Sequence, residues 1–390
     1  MKHELVIVID PGHGGAEGGA DDGASYDGIT ERYINVATAK AMYEELSTYE
    51  GVTVYLTHDS PDTQMSLRER AEFAKSVNAD YLISIHYNAS EEHIFYGSEV
   101  WIPSTGSHYV QGYQLGTAIL DEFCQMGLVN RGVKTKVNAS GSDYYGIIRE
   151  AESLGIPGII VEHCYLDHEN DLSYRDAEED YVRFGIADAT GLAKSLGLKN
   201  SKTGVDYSSY VNIEVPIPET IMYQDLTPPE QCVVQLENLP EETGTINLII
   251  RASDQDSSIV YYSYSLDGGS SFSNLLPWEN SEEKSIMHIS ISNITTPEVE
   301  LMIKVYNEYN LETTSEILSI QCFSEENIES ETGEITTTAD ASNFPKKNTE
   351  PSKSIAVLVL FLLILVNFVL TGLFFKHRRK KNKNQKTNQY

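Results

Sequence analysis

From Ile355 to Phe375 the chain runs for 21 residues without a charge, IAVLVLFLLILVNFVLTGLFF. At about 1.5 Å per residue, a helix of that length crosses a hydrocarbon layer of roughly 30 Å. A stretch apolar on every face does not suit the surface of a domain, and the segment before it offers nothing to pack on. Residues 354–375 are therefore expected to form a transmembrane helix, with membrane lipid as its partner. The tail 376–390 holds seven of the 28 basic residues and no acid. The positive-inside rule assigns it to the cytoplasm and everything upstream to the outside of the cell membrane. The stretch NFPKKNTEPSKS lacks an LPxTG motif, which separates this arrangement from a sortase signal. An exported chain needs a signal peptide, yet the first strand begins at about Leu5. The true start is expected upstream, or a signal has been removed.

Charge narrows the partners. The formal net charge is -30, and without the tail 21 basic residues face 58 acidic ones, a balance of -37. Such a body repels phosphate backbones, so nucleic acid is not an expected partner. Four cysteines (Cys124, Cys164, Cys232, Cys322) are too scattered for a disulfide framework or a thiolate zinc site; Cys232 and Cys322 could pair, but free thiols are expected.

With 390 residues, two folded units plus connecting segments are expected. Up to about residue 198, apolar runs alternate with amphipathic stretches: LVIVI, ERYINVATAKAMYEEL, VTVYL, SLRERAEFAKSV, YLISIHYN. This pattern predicts an α/β fold over residues 1–200, with a central, mostly parallel twisted sheet flanked by helices. Ser66 and Glu69 spell a capping box, and Thr30 can cap the first helix. Further strands are expected at Gly97–Ile102 and Gly158–Glu162, and helices at about Ser107–Met126 and Ala177–Leu196. Residues 205–323 change to short Val-, Ile- and Tyr-rich runs, which predict an all-β sandwich of immunoglobulin-like kind, with a hairpin turn at Asp267-Gly268-Gly269. Residues 324–353, rich in acids, Thr, Ser and Pro, read as a disordered linker.

The chemistry-bearing residues collect at one place. Asp10-Pro11-Gly12-His13-Gly14-Gly15 ends the first strand, and it contains neither GxGxxG nor GxxxxGKS, so it is no phosphate loop. His86 ends YLISI and Glu162 ends GIIV. Glu31 opens the first helix, where the macrodipole alone would also favour an acid. A single histidine such as His86 is often merely structural, whereas a carboxylate at the end of a buried strand is costly. Ligands of open α/β sheets bind at the carboxyl ends of strands, where His13, His86 and Glu162 fall, with Glu31 opening the helix that follows the first strand. Two imidazoles and one carboxylate leave a fourth position for water, as hydrolytic zinc requires, and a second glutamate is then free for proton transfer.

The segments DPGHGG, ERYIN, LTHDSPDTQMSLRERAEFA, ADYLISIHYNAS, GSEVW and GIPGIIVEHCYLDHENDL occur in this order and resemble the zinc-dependent N-acetylmuramoyl-L-alanine amidase family, type 3. The resemblance implies a peptidoglycan hydrolase that cuts the amide between N-acetylmuramic acid and L-alanine. It implies one Zn²⁺ held by His13, Glu31 and His86, with Glu162 as the catalytic base and acid. There are departures. Thr57-His58 stands where the family has Thr-Arg, and His163-Cys164 follow Glu162, offering further metal-capable side chains. Some members carry an occluding helix after the strand matching GSEVWIP, but here only Pro103–Gly106 intervene. Asn88 and Arg149 are candidate substrate-binding residues, the latter within the basic segment RGVKTKVNASGSDYYGIIRE, which could grip stem-peptide carboxylates. Alternatives are a zinc peptidase acting within the stem peptide and a non-catalytic wall-binding ectodomain; the presence of all four residues speaks against the second.

Overall fold

The computed structural model describes residues 4–19, 21–240, 244–279 and 284–322. The chain opens with β1 (Leu5–Pro11), and a hairpin of β2 (Ser25–Tyr26) and β3 (Ile29–Thr30) leads into α1 (Glu31–Leu46). Then come β4 (Val52–Leu56), α2 (Leu67–Ser76), β5 (Tyr81–Asn88) and β6 (Ser98–Trp101). The layer is completed by α3 (Gly106–Met126), β7 (Asn130–Lys134), α4 (Gly146–Ser153), β8 (Gly158–Tyr165) and α5 (Glu178–Ser195). The sheet order is β4-β1-β5-β8-β6-β7. All pairings are parallel except β6 against β8, so the sheet is mixed.

Strand alternation decides what packs where. Ile7 and Ile9 point to a core shared with α1, α3 and α5 through Met42, Phe123 and Phe184. Val8, between them, points to the opposite face, where Ala74 of α2 and Ile148 of α4 cover it. The capping box forms as expected, with Ser66 and Glu69 satisfying each other's backbone. Thr30 is the N-cap of α1 but its side chain makes no cap bond; its Oγ1 instead accepts from Ser25 Oγ at 3.1 Å.

The basic segment expected to grip stem-peptide carboxylates has two of its cations inside the fold. It contains β7 and α4, and Arg131 and Lys134 are fully buried. Hydrophobic periodicity cannot reveal a strand whose inward residues are charged.

Two short strands, β9 (Lys199–Asn200) and β10 (Val205–Asp206), pair before the second layer. That layer contains β11 (Gln231–Leu236), β12 (Ile246–Ser253), β13 (Ile259–Ser265) and β14 (Leu276–Pro277). It ends with β15 (Ile286–Ile291), β16 (Glu298–Asn307), β17 (Glu312–Thr314) and β18 (Leu318–Gln321). One sheet is β11-β12-β15; the other is β14-β13-β16-β17, with β18 also on β16. Leu248, Ile250, Leu301 and Ile303 fill the core between them. The first strand of the sandwich begins at Gln231, later than residue 205, and no strand lies between Asp206 and Gln231. Gly268 and Gly269 take φ values of 70° and 90° in the hairpin turn. All four cysteines are free thiols. Both layers belong to one unit, Met1–Glu331. The expected linker, membrane helix and basic tail lie outside the described residues; among those described, no helix is long and apolar enough to cross a membrane.

Candidate metal centre and catalytic cleft

The loop after β1 is shaped by two buried arginines. Arg70 of α2 donates from Nη1 to Asp10 Oδ1 (2.8 Å) and Pro11 O (2.6 Å), and from Nη2 to His13 O (2.6 Å). Asp10 also accepts from Thr57 Oγ1 (2.6 Å) and Ser84 Oγ (2.9 Å), so the buried pair is fully hydrogen-bonded. Arg32 holds the far side of the loop through Gly15 O (2.7 Å) and Pro61 O (3.0 Å). Clamped this way, His13 sits at φ 64°, in the left-handed region that non-glycine residues rarely enter. A Cβ on Gly12 would come within 2.1 Å of the His86 ring, so only glycine lets the two imidazoles meet.

His13, Glu31 and His86 are brought together, with one ligand atom from each lying within 4.8 Å of the others. Glu31, 3% exposed, places Oε2 at 3.2 Å from His13 Nε2 and Oε1 at 3.0 Å from His86 Nδ1. Backbone N–H groups of Ala24 and Tyr87 donate to its two oxygens at 2.8 and 3.1 Å. Burial disfavours the Glu31 charge, but the two imidazoles and these bonds hold its pKa well below the carboxylate range. His13 Nδ1 lies 2.8 Å from Asp21 Oδ1, which fixes its proton there and frees Nε2. Burial opposes the His13 charge as well, yet Glu31 and Asp21 prevail and push it up to about 9. Two imidazoles and a carboxylate, one imidazole held by an outer carboxylate, form a donor set suited to Zn²⁺. A Cβ on Gly23 would sit 2.5 Å from Glu31 Oε2 and 2.7 Å from His13 Cδ2, so the glycine keeps this cradle open.

Glu162 of β8 is the register partner of His86 on one side and of Glu99 in β6 on the other. Its Oε2 is buried without a hydrogen-bond partner. Burial, with the charges of Glu31 and Glu99, raises its pKa well above the usual range. Such an orphan costs about 1–3 kcal/mol and is characteristic of groups kept for chemistry. Glu99 itself accepts from Arg131 Nε (2.8 Å), Lys134 Nζ (2.6 Å) and Asn88 Nδ2 (3.1 Å). Burial resists its charge, but Lys134 and Arg131 bring it down to about 2.

The other candidates fall into place by side-chain direction. Asn88 lines the cleft with Glu162. Arg149 is exposed on α4, its Nη1 bound to Asp143 O (2.7 Å) and Tyr144 O (3.0 Å). His163 points away from the metal cluster, with Nε2 at 2.8 Å from Asp188 Oδ2 and Nδ1 at 2.8 Å from His86 O. Cys164 is buried in the core. Neither joins the donor cluster: alternation turns His163 to the face opposite Glu162, and the register shift in the β5–β8 pairing after His86–Glu162 leaves Cys164 in the core. Arg131 and Lys134 are spent on Glu99 and grip no substrate. His58 is buried beside Thr57 Oγ1 (3.1 Å), while the loop is clamped by Arg70 from α2. Only four residues separate β6 from α3, so no occluding helix stands there. The reading from sequence missed Glu99 and Asp21. The acid within the apolar GSEVW carried the same signal of burial cost as Glu162.

The family model described as N-acetylmuramoyl-L-alanine amidase matches residues 7–194. The amidase CwlM of Bacillus licheniformis is 30% identical over 203 residues, 50% of this chain and 71% of the relative. The chain belongs to the N-acetylmuramoyl-L-alanine amidase family. A sporulation-specific amidase of Bacillus subtilis is 28% identical over 206 residues, covering 51% of this chain and 71% of the relative. Among solved structures, the catalytic domain of CwlV from Bacillus (Paenibacillus) polymyxa var. colistinus is 25% identical, over 50% of this chain and 99% of that one, with a TM-score of 0.43. The amidase match contains His13, Glu31, His86 and Glu162 and stops before the sandwich.

Proposed function

We propose that the protein is a zinc-dependent N-acetylmuramoyl-L-alanine amidase that releases stem peptides from peptidoglycan. The observation that carries this reading is the three-donor cluster of His13, Glu31 and His86 with the unpartnered Glu162 in register beside it. A Zn²⁺ held by the three would polarise the scissile carbonyl and acidify a water. Glu162 takes the proton of the attacking water, whose oxygen bonds to the lactyl carbonyl carbon. The C–N bond then breaks, and Glu162 returns the proton to the departing amine of L-alanine. Of the two charges that raise the Glu162 pKa, Glu31 would be offset by the cation it ligates, bringing Glu162 towards a working base. Asp21 orients His13, and Arg70 fixes the loop that bears it.

Digestion of purified peptidoglycan with and without a chelator tests this. Lactyl carboxylates on peptide-free glycan, lost on chelation, support an amidase; shortened peptides on intact glycan would replace it with a peptidase. The apolar run and basic tail further suggest a single-pass anchor that keeps the enzyme outside the membrane. Protease treatment of intact cells should then remove the enzyme and spare the tail.

A further inference from the structure

The sandwich is joined to the amidase layer next to Glu162. Phe95, Tyr96 and Tyr165 share one apolar cluster with Tyr261, Leu275 and Tyr306 of the sandwich. The ion pair that holds Glu99 reaches across as well. Arg131 donates from Nη1 to Tyr261 Oη (3.0 Å) and from Nη2 to Asn310 Oδ1 (2.7 Å), and Lys134 donates to Glu308 O (2.8 Å). The β16–β17 hairpin thereby becomes one flank of a cleft of about 500 Å³, with Asn88 and Glu162 on the other flank.

The lining of this cleft discriminates between the two halves of the scissile amide. Glu92 and Glu312 are exposed in it, Glu312 pairing with Lys304 (2.9 Å), while Glu99 lies deeper and is held by Arg131 and Lys134; no Lys or Arg lines the cleft itself. A stem-peptide carboxylate finds no cation to pair with in such a lining. An N-acetylated sugar chain is neutral; its hydroxyls donate to carboxylates and its acetamido carbonyl accepts from an amide. Asn310, held at φ 67° with its Oδ1 taken by Arg131, presents Nδ2 as that donor, and Tyr306 adds an aromatic edge. We propose that this cleft binds the N-acetylhexosamine side of the substrate, and that Asn310 and Glu312 of the sandwich are specificity determinants of the amidase. The proposal rests on the amidase reading, but its test does not require turnover.

Chitotetraose, a neutral N-acetylated glycan, and a synthetic stem peptide are titrated into the full chain calorimetrically. The same titrations are made with Asn310→Asp, which keeps the oxygen for Arg131 and removes the donor, and with the exposed Glu312→Gln. Each substitution is expected to weaken chitotetraose about fivefold or more and to leave the peptide unchanged. In hydrolysis the KM for peptidoglycan should rise while kcat stays within about twofold. The proposal is overturned if chitotetraose does not bind the wild-type chain, if its affinity is unchanged in both variants, or if the peptide's affinity falls instead. Failure of wild-type hydrolysis with zinc would count against the amidase reading separately, since chitotetraose binding is measured without it.

Discussion

At the scale of single residues, the site divides into groups that hold charge and one that lacks a partner. Replacing Glu162 by Gln should preserve metal content, measured by atomic absorption, and lower turnover by about 10² to 10⁴, the usual worth of a general base and acid. His13 gives a pH prediction for the metal-free protein. Its folded pKa of about 9 exceeds the unfolded 6.5, so its contribution is fully present below pH 6.5 and lost as pH rises through 9. Denaturant titrations of the chelated protein at pH 6 and 9.5 should differ by about 2–3 kcal/mol from this group. Metal uptake must displace the same proton, so affinity should climb about tenfold per pH unit below 9. Gly12→Ala is expected to push the His86 ring aside and cost metal affinity, with an overpacking penalty of about 1–3 kcal/mol. His13, His86, Glu31 and Glu162 could be singled out in the sequence together and not one by one, because a lone histidine or a helix-opening acid has ordinary structural reasons, whereas four such residues around one sheet edge do not. Asp21 and Arg70 could not, since a side chain that orients another from a distant turn leaves no local pattern.

At the scale of elements, periodicity found α1, α2, α3, α5 and most strands, because each buries an apolar stripe. It missed β7, whose inward residues are Arg131 and Lys134, and with it the pairing that keeps Glu99 ionised. That pairing should be visible in acid. The folded Glu99 pKa of about 2 lies below the unfolded 4.5, so its contribution is present above pH 4.5 and lost as pH falls towards 2. About 3 kcal/mol is at stake, measurable as a loss of melting temperature across that range which Glu99→Gln should flatten. By contrast, Ser66→Ala removes one capping box at the exposed start of α2; it should cost about 1 kcal/mol and leave turnover unchanged.

At the scale of the whole molecule, two layers that the sequence presents as separate folds share an apolar cluster and an ion-pair network. Composition could place a boundary near residue 200 but could not show that Phe95 and Tyr306 meet across it. Calorimetry of the full chain should therefore show one cooperative transition for both layers, and truncation after residue 204 should lower the melting temperature of what remains. The sheet order has a consequence of its own. His86 and Glu162 lie on β5 and β8, the two innermost strands, each hydrogen-bonded on both sides. The amide protons flanking the reacting centre should then be among the slowest in the protein to exchange with deuterium, so the lifetime of the enzyme in use is set by global unfolding and not by fraying around its site.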